Sequence, residues 1–154
     1  MSRPIRVLFV CLGNICRSPM AEGIFLHTAK QKGLVERFVV DSAGTGAWHV
    51  GKRPDSRAIE TSKRFGIELP SIARQVTPDD FDAFDLILAM DRSNLADLEE
   101  LGATNARLMR SFDATLKGEH DVPDPYYGDG DGFVKVYEML TRACDGLIEH
   151  LIRD

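Results

Sequence analysis

The segment that most restricts the fold is a nearly continuous apolar run, Ile5 to Cys11, followed at once by a glycine-containing turn and a helical pattern. A run of this kind suits a central strand buried on both faces, because an edge or half-exposed strand would alternate between core and water. The helix is expected from about Pro19 to Lys32: Pro19 suits a first helical position, Met20, Ile24, Phe25 and Thr28 share one face, and Gly33 supplies a stop. The alternation then continues. Strands are expected near Phe38 to Ser42, Asp85 to Met90 and Arg107 to Phe112. Helices are expected over Asp55 to Phe65, after the Thr77-Pro78-Asp79-Asp80 start signal, and over Asp91 to Leu101. A last helix carries Phe133, Val136, Leu140, Cys144, Leu147 and Ile148 at three- and four-residue spacing, and Cys144 in that stripe reads as packing. Alternation of strands and helices points to an α/β fold, a parallel sheet wrapped by helices. Asp113 to Gly132 reads as a long polar loop, a length that in a compact domain usually serves function.

Composition bounds the partners. At 154 residues, with 44% hydrophobic and 28% charged residues, the chain is expected to form one domain over residues 1–154. A net charge of -5 provides no general attraction to nucleic acid or an anionic membrane, so any anionic ligand must be held locally. No apolar run approaches the roughly 20 residues of a membrane span, and the first residues lack a secretory pattern. Three cysteines do not make a disulfide scaffold. The expectation is a cytoplasmic protein with reduced thiols, monomeric or weakly self-associating.

The local site for an anion is the loop Cys11-Leu12-Gly13-Asn14-Ile15-Cys16-Arg17-Ser18, which joins a buried strand to a helix N-terminus. In open α/β sheets ligands bind at the carboxyl ends of strands. A short loop wrapped there turns backbone N–H groups inward, and the helix dipole adds positive potential, which suits a phosphate dianion. Arg17 supplies a planar fork able to grip two phosphate oxygens. All three effects favour the thiolate of Cys11. A thiolate beneath an arginine-held phosphoryl group is placed for in-line attack on phosphorus, giving a thiophosphate intermediate. Ser18 can donate its hydroxyl to the sulfur and ease its departure.

Val7 to Glu22 resembles the opening of the low-molecular-weight protein tyrosine phosphatases, and further matches follow in family order: Asp41 to Thr45, Ala73-Arg74-Gln75, Ala89 to Asn94 and Val122 to Tyr127. The resemblance implies a three-layer fold, a twisted four-stranded parallel sheet with helices on both faces and the phosphate-binding loop after the first strand. It implies Cys11 as nucleophile, Arg17 as phosphate clamp and Asp124 as general acid and then general base. Residues Leu12, Gly13, Asn14, Ile15, Cys16, Arg17 and Ser18 would bind phosphate, Asn14, Ser18 and Ser42 would support the loop, and Asp91 would steady Arg17. Leu12, Trp48, Tyr126 and Tyr127 would line a slot for a phosphotyrosine-containing protein or a small aryl phosphate, with no cofactor and no metal. Asp124 also suits its role on chemical grounds, since expelling an aryl oxygen is helped by a carboxylic acid. Asp121, Asp129 and Asp131 crowd its loop with like charge, which favours keeping a proton there. The departure from the pattern is Ser71, where the family often has a histidine that helps support the loop.

Other readings fit less well. Gly46 to Arg53 approaches a nucleotide P-loop but has arginine in place of the Ser/Thr that would bind magnesium. Tyr127 to Gly132 with Glu138 approaches a calcium loop but opens on tyrosine with no helix before it. The four histidines show no metal-ligand spacing and read as incidental surface or core residues. An arsenate reductase of similar fold would need resolving cysteines, and none lies between Cys16 and Cys144. A phosphotyrosine-binding module would need neither Cys11 nor Asp124. Cys16 carries two readings side by side: a redox guard that forms a reversible disulfide with Cys11, or a small residue whose amide lines the cradle.

Overall fold

The computed structural model describes residues 3–126, 128 and 131–153. Four strands, β1 (Ile5–Cys11), β2 (Phe38–Gly44), β3 (Leu86–Ala89) and β4 (Ala106–Leu108), form one sheet in the order β2-β1-β3-β4. Every pairing is parallel. The chain leaves β1 for β2 on one side and later returns to β3 on the other, so the sheet reverses its winding at β1. That reversal opens a crevice at the carboxyl end of β1, where Cys11 stands opposite Gly44 of β2.

The apolar run of β1 divides by strand periodicity between two cores. Val7, Phe9 and Cys11 face a layer formed by α1 (Arg17–Gln31), α2 (Ser56–Arg64) and α5 (Asp131–Ile152), with Met20, Ile24, Phe25, Phe133 and Leu140 fully or almost fully buried. Leu8 and Val10 face the other side, against Leu98, Phe81 and Phe84 from α3 (Pro78–Ala83), α4 (Arg92–Glu100) and the turn after α3. This is the three-layer α/β arrangement, with the longest helix, α5, packed chiefly on α1. Cys144 is completely buried within α5, in agreement with a packing role.

Of the boundaries that differ from expectation, three bear on the core and the site. Helix α1 begins at Arg17, two residues before Pro19, which draws Arg17 and Ser18 into its first turn. Proline is still accommodated, because first-turn N–H groups have no intrahelical acceptor. The fourth strand stops at Leu108, and Met109–Phe112 is a 3-10 turn. Met109 and Phe112 both belong to the α5-side core. A strand would send residues three apart to opposite faces, whereas a 3-10 turn puts them on one. Glycine at 146 of α5 permits this contact, since a Cβ there would overlap the Phe112 carbonyl oxygen. Third, β2 runs two residues further than expected, to Gly44, which brings its end alongside the loop after β1. No helix among the described residues is long and apolar enough to cross a membrane.

Candidate active site

Strand β1 delivers Cys11 to the floor of the crevice, and residues 12–16 turn back over it before α1 begins. The turn is held from outside. Thr45 N donates to Cys11 O and Gly46 N to Leu12 O, both at 2.9 Å, and Asp55 N donates to Ile15 O at 2.8 Å. With these carbonyls bonded outward, the intervening N–H groups face the space above the thiol. Asn14 N lies 3.3 Å from Cys11 Sγ as donor. Among the described residues no side chain caps α1, so its first-turn N–H groups add to the same electropositive cup.

Asn14 makes the sharp bend possible, with a φ of 56° in the left-handed region that asparagine tolerates. Its side chain then ties three segments together. Nδ2 donates to Ser18 Oγ at 2.8 Å and Ser42 Oγ at 3.0 Å, and Oδ1 accepts from Arg74 N at 3.0 Å. Ser18 Oγ accepts from Asn14, and its single proton has two acceptors within reach, Cys11 Sγ at 3.0 Å and Ala43 O at 3.4 Å, of which the sulfur is the nearer. That is the geometry needed to stabilise a thiolate.

Arg17 is only 2% exposed, and its orientation is dictated by two acceptors. Nη1 donates to Asp91 Oδ2 at 2.7 Å and to Val122 O at 2.9 Å. Asp91 uses its other oxygen to accept from Asn94 N at 2.7 Å, so one carboxylate both caps α4 and steadies the arginine. Nη2 lies 3.6 Å from Asp124 Oδ2, which brings guanidinium and carboxyl together over the cup. Asp124 stands between Pro123 and Pro125, and its Oδ1 accepts from Tyr126 N at 3.0 Å. The start of its loop is pinned to the sheet by Val122 N donating to Met90 O at 2.7 Å.

Cys11, Cys16, Arg17 and Asp124 open into one cleft of about 350 Å³. Its walls are Leu12, Gly13, Ile15, Trp48, His49 and Tyr126. Trp48 is 71% exposed and lies across Gly46, where any side chain would collide with its ring. The expected cleft residues Leu12, Trp48 and Tyr126 therefore meet, while Tyr127 and Asp129 lie outside the described residues. His49 was expected to be incidental but lines the cleft, its ring centroid 6.2 Å from that of Tyr126. Asp121, expected to crowd Asp124, is instead paired with Arg92, whose Nε donates to it at 3.1 Å. That guanidinium holds the Asp121 carboxyl below its usual range.

Two supporting groups were not legible in the sequence. Glu22, on the buried side of α1, accepts the Ser42 hydroxyl proton at 2.7 Å and is 5% exposed. Burial pushes its carboxyl up to about 7, with Asp41 adding to the rise and the bond from Ser42, Ser71 and the charge of Arg74 opposing it. Ser71 Oγ, near Glu22, is buried without a well-formed hydrogen bond. Arg74 is itself divided between Asp41 and Asp80, at 3.0 Å from each. For Cys16, burial first and then the charge of Asp55 push the thiol well above its ordinary range. All three cysteines are free thiols.

A family model described as low molecular weight phosphotyrosine protein phosphatase matches residues 6–154. A relative of that name from Schizosaccharomyces pombe is 47% identical over 159 residues, covering 98% of this chain and 99% of the relative. Among solved structures, a protein tyrosine phosphatase from Entamoeba histolytica superposes with a TM-score of 0.92 at 40% identity, over 97% of each chain. A Drosophila arginine phosphatase superposes with a TM-score of 0.91 at 35% identity, covering 97% of this chain and 99% of that one.

Proposed function

The chain belongs to the low molecular weight phosphotyrosine protein phosphatase family, and from that membership and the site we infer that it is a protein tyrosine phosphatase. The observation that carries the reading is a buried thiol, Cys11, beneath a cup of N–H groups with Arg17 and Asp124 converging over it. The cup and Arg17 hold the phosphoryl oxygens as negative charge spreads over them in the transition state. Cys11 Sγ attacks phosphorus, the P–O bond to the aryl group breaks, and Asp124 gives its proton to the departing oxygen. Water then attacks the cysteinyl phosphate as Asp124 takes the proton back, and the thiolate leaves toward the Ser18 hydroxyl. Asn14, Ser42 and Asp91 keep the loop and Arg17 in place. No step calls for a metal or cofactor. The three free thiols suit a reducing, cytoplasmic setting.

The walls favour an aryl phosphate. A phosphoguanidine, the group an arginine phosphatase acts on, brings several N–H donors that ask for acceptors. Leu12, Ile15 and Trp48 accept none from their side chains, which leaves the Asp124 carboxylate and a His49 ring nitrogen as acceptors, while Trp48 and Tyr126 suit a phenyl ring. The test is turnover of phosphotyrosine peptide, para-nitrophenyl phosphate and phosphoarginine with EDTA present. Aryl phosphates should be hydrolysed, with activity abolished in Cys11→Ser and reduced in Asp124→Ala. Absence of turnover without metal refutes the reading, and preference for phosphoarginine reassigns the substrate.

A further inference from the structure

Arg57 lies outside the catalytic roles above, yet it joins the two loops that carry them. It sits in the first turn of α2, beside Asp55, which caps that helix by accepting from Arg57 N at 2.8 Å. The Asp55 carboxylate also accepts from Arg57 Nε and Nη2, each at 3.0 Å, and this pair holds the Asp55 carboxyl below its usual range. Asp55 in turn donates its N–H to Ile15 O in the phosphate loop at 2.8 Å. On its other side Arg57 Nη2 donates to Tyr126 O at 3.1 Å, and the guanidinium lies 5.5 Å from the Tyr126 ring and 4.8 Å from the Phe133 ring. Tyr126 N is the group that donates to Asp124 Oδ1.

We propose that Arg57 is a positioning residue that sets the distance between the phosphate loop and the acid, through Ile15, Asp55 and Arg57 to Tyr126 and Asp124. The proposal rests on the reading of Asp124 as general acid. The loop after Val122 has its first anchor on the sheet at Met90 and its far end at the start of α5. Between them, the Tyr126 peptide is gripped from α2 through a planar fork and a ring face that only arginine matches together. Releasing that grip leaves the phosphate loop's own bonds untouched, because Asp55 reaches Ile15 through its backbone N–H. The acid is then less often within reach of the leaving oxygen, and a displacement of about 1 Å is enough to matter.

The experiment compares the full chain with Arg57→Ala, Arg57→Lys, Asp124→Ala and the Arg57→Ala/Asp124→Ala double variant, on phenyl phosphate and para-nitrophenyl phosphate. Phenolate is the poorer leaving group and depends more on the acid. Arg57→Ala should lower kcat/KM about tenfold on phenyl phosphate and by no more than about twofold on para-nitrophenyl phosphate. Arg57→Lys should recover part of the loss, inhibition by inorganic phosphate should be unchanged, and the double variant should be no slower than Asp124→Ala alone. Equal losses on both substrates, weaker phosphate inhibition, or a further fall in the Asp124→Ala background each overturn the proposal. An Asp124→Ala variant as active as wild type would overturn the acid assignment itself, a separate outcome from wild-type behaviour in Arg57→Ala.

Discussion

Replacing Glu22 by glutamine keeps the side chain's length and an oxygen to accept from Ser42, but removes the charge. In the folded protein this carboxyl is raised from 4.5 to about 7, chiefly by burial. The sign follows from linkage. Below the unfolded value the group is protonated in both states, and its effect on stability is at its most favourable. As pH rises toward the folded value the unfolded chain releases its proton more readily, so the folded state loses ground until both are ionised. At 1.36 kcal/mol per pKa unit the loss is about 3 kcal/mol, accumulated between roughly pH 4.5 and 7. Glutamine has no such titration. Urea unfolding of both proteins across pH 5 to 8 should therefore show Glu22→Gln gaining on wild type as pH rises, by about 2 to 3 kcal/mol in total. The Asn14 bonds to Ser18 and Ser42 are retained, so turnover at pH 6 should change little. A stability difference that stays constant with pH would refute the account, since it would mean that Glu22 titrates alike in both states.

Ser71→His puts a titratable ring beside Glu22, and its protonated form should shrink the pH-dependent loss seen in the same urea series by favouring ionised Glu22. A Cβ on Gly44 would stand 2.8 Å from Leu12 O and 3.2 Å from Asn14 N, both backbone atoms of the phosphate loop. Gly44→Ala should thus lower kcat/KM by more than about tenfold while near-native circular dichroism persists; unchanged kinetics would show that the loop can yield there. Arg17→Lys keeps one donor for Asp91 and loses the planar fork, so kcat should fall by about a hundredfold or more in steady-state assays. Peroxide converts Cys11 to a sulfenic acid, which Cys16, on losing its proton, can attack with loss of water to form a disulfide; without Cys16 further peroxide carries the sulfenic acid to a sulfinic acid that dithiothreitol does not reverse. Dithiothreitol should restore wild type after such treatment and leave Cys16→Ser inactive, whereas equal recovery would leave Cys16 as an amide-bearing loop residue only.

Legibility followed the distance along the chain between partners. Strand β1, the loop and α1 are contiguous, so the period of the apolar run, the glycine turn and the positions of Cys11, Arg17 and Ser18 carried their geometry locally. Arg107 to Phe112 shows the limit of that logic. Its composition permits a strand, but packing Met109 and Phe112 on one face against α5 and its glycine decided for a 3-10 turn after Leu108. His49 and Arg57 carried no local signal, and Glu22 and Arg74, though within segments that resemble the family, carried no sign of their roles, because each acquires its role from a group that the fold alone brings near. Arg17 meets Val122 across 105 residues, and Arg57 meets Tyr126 across 69.

The sequence by itself determined a doubly covered parallel sheet and a thiol under an anion-binding loop, because hydrophobic period and turn chemistry act over a few neighbouring residues. Only the tertiary structure decided which buried carboxylate titrates near neutrality, which arginine ties the acid to the nucleophile, and that His49 joins Trp48 and Tyr126 in the cleft wall. Burial, charge and hydrogen-bond partners depend on what the other layers place within a few ångströms, and no spacing along the chain records that.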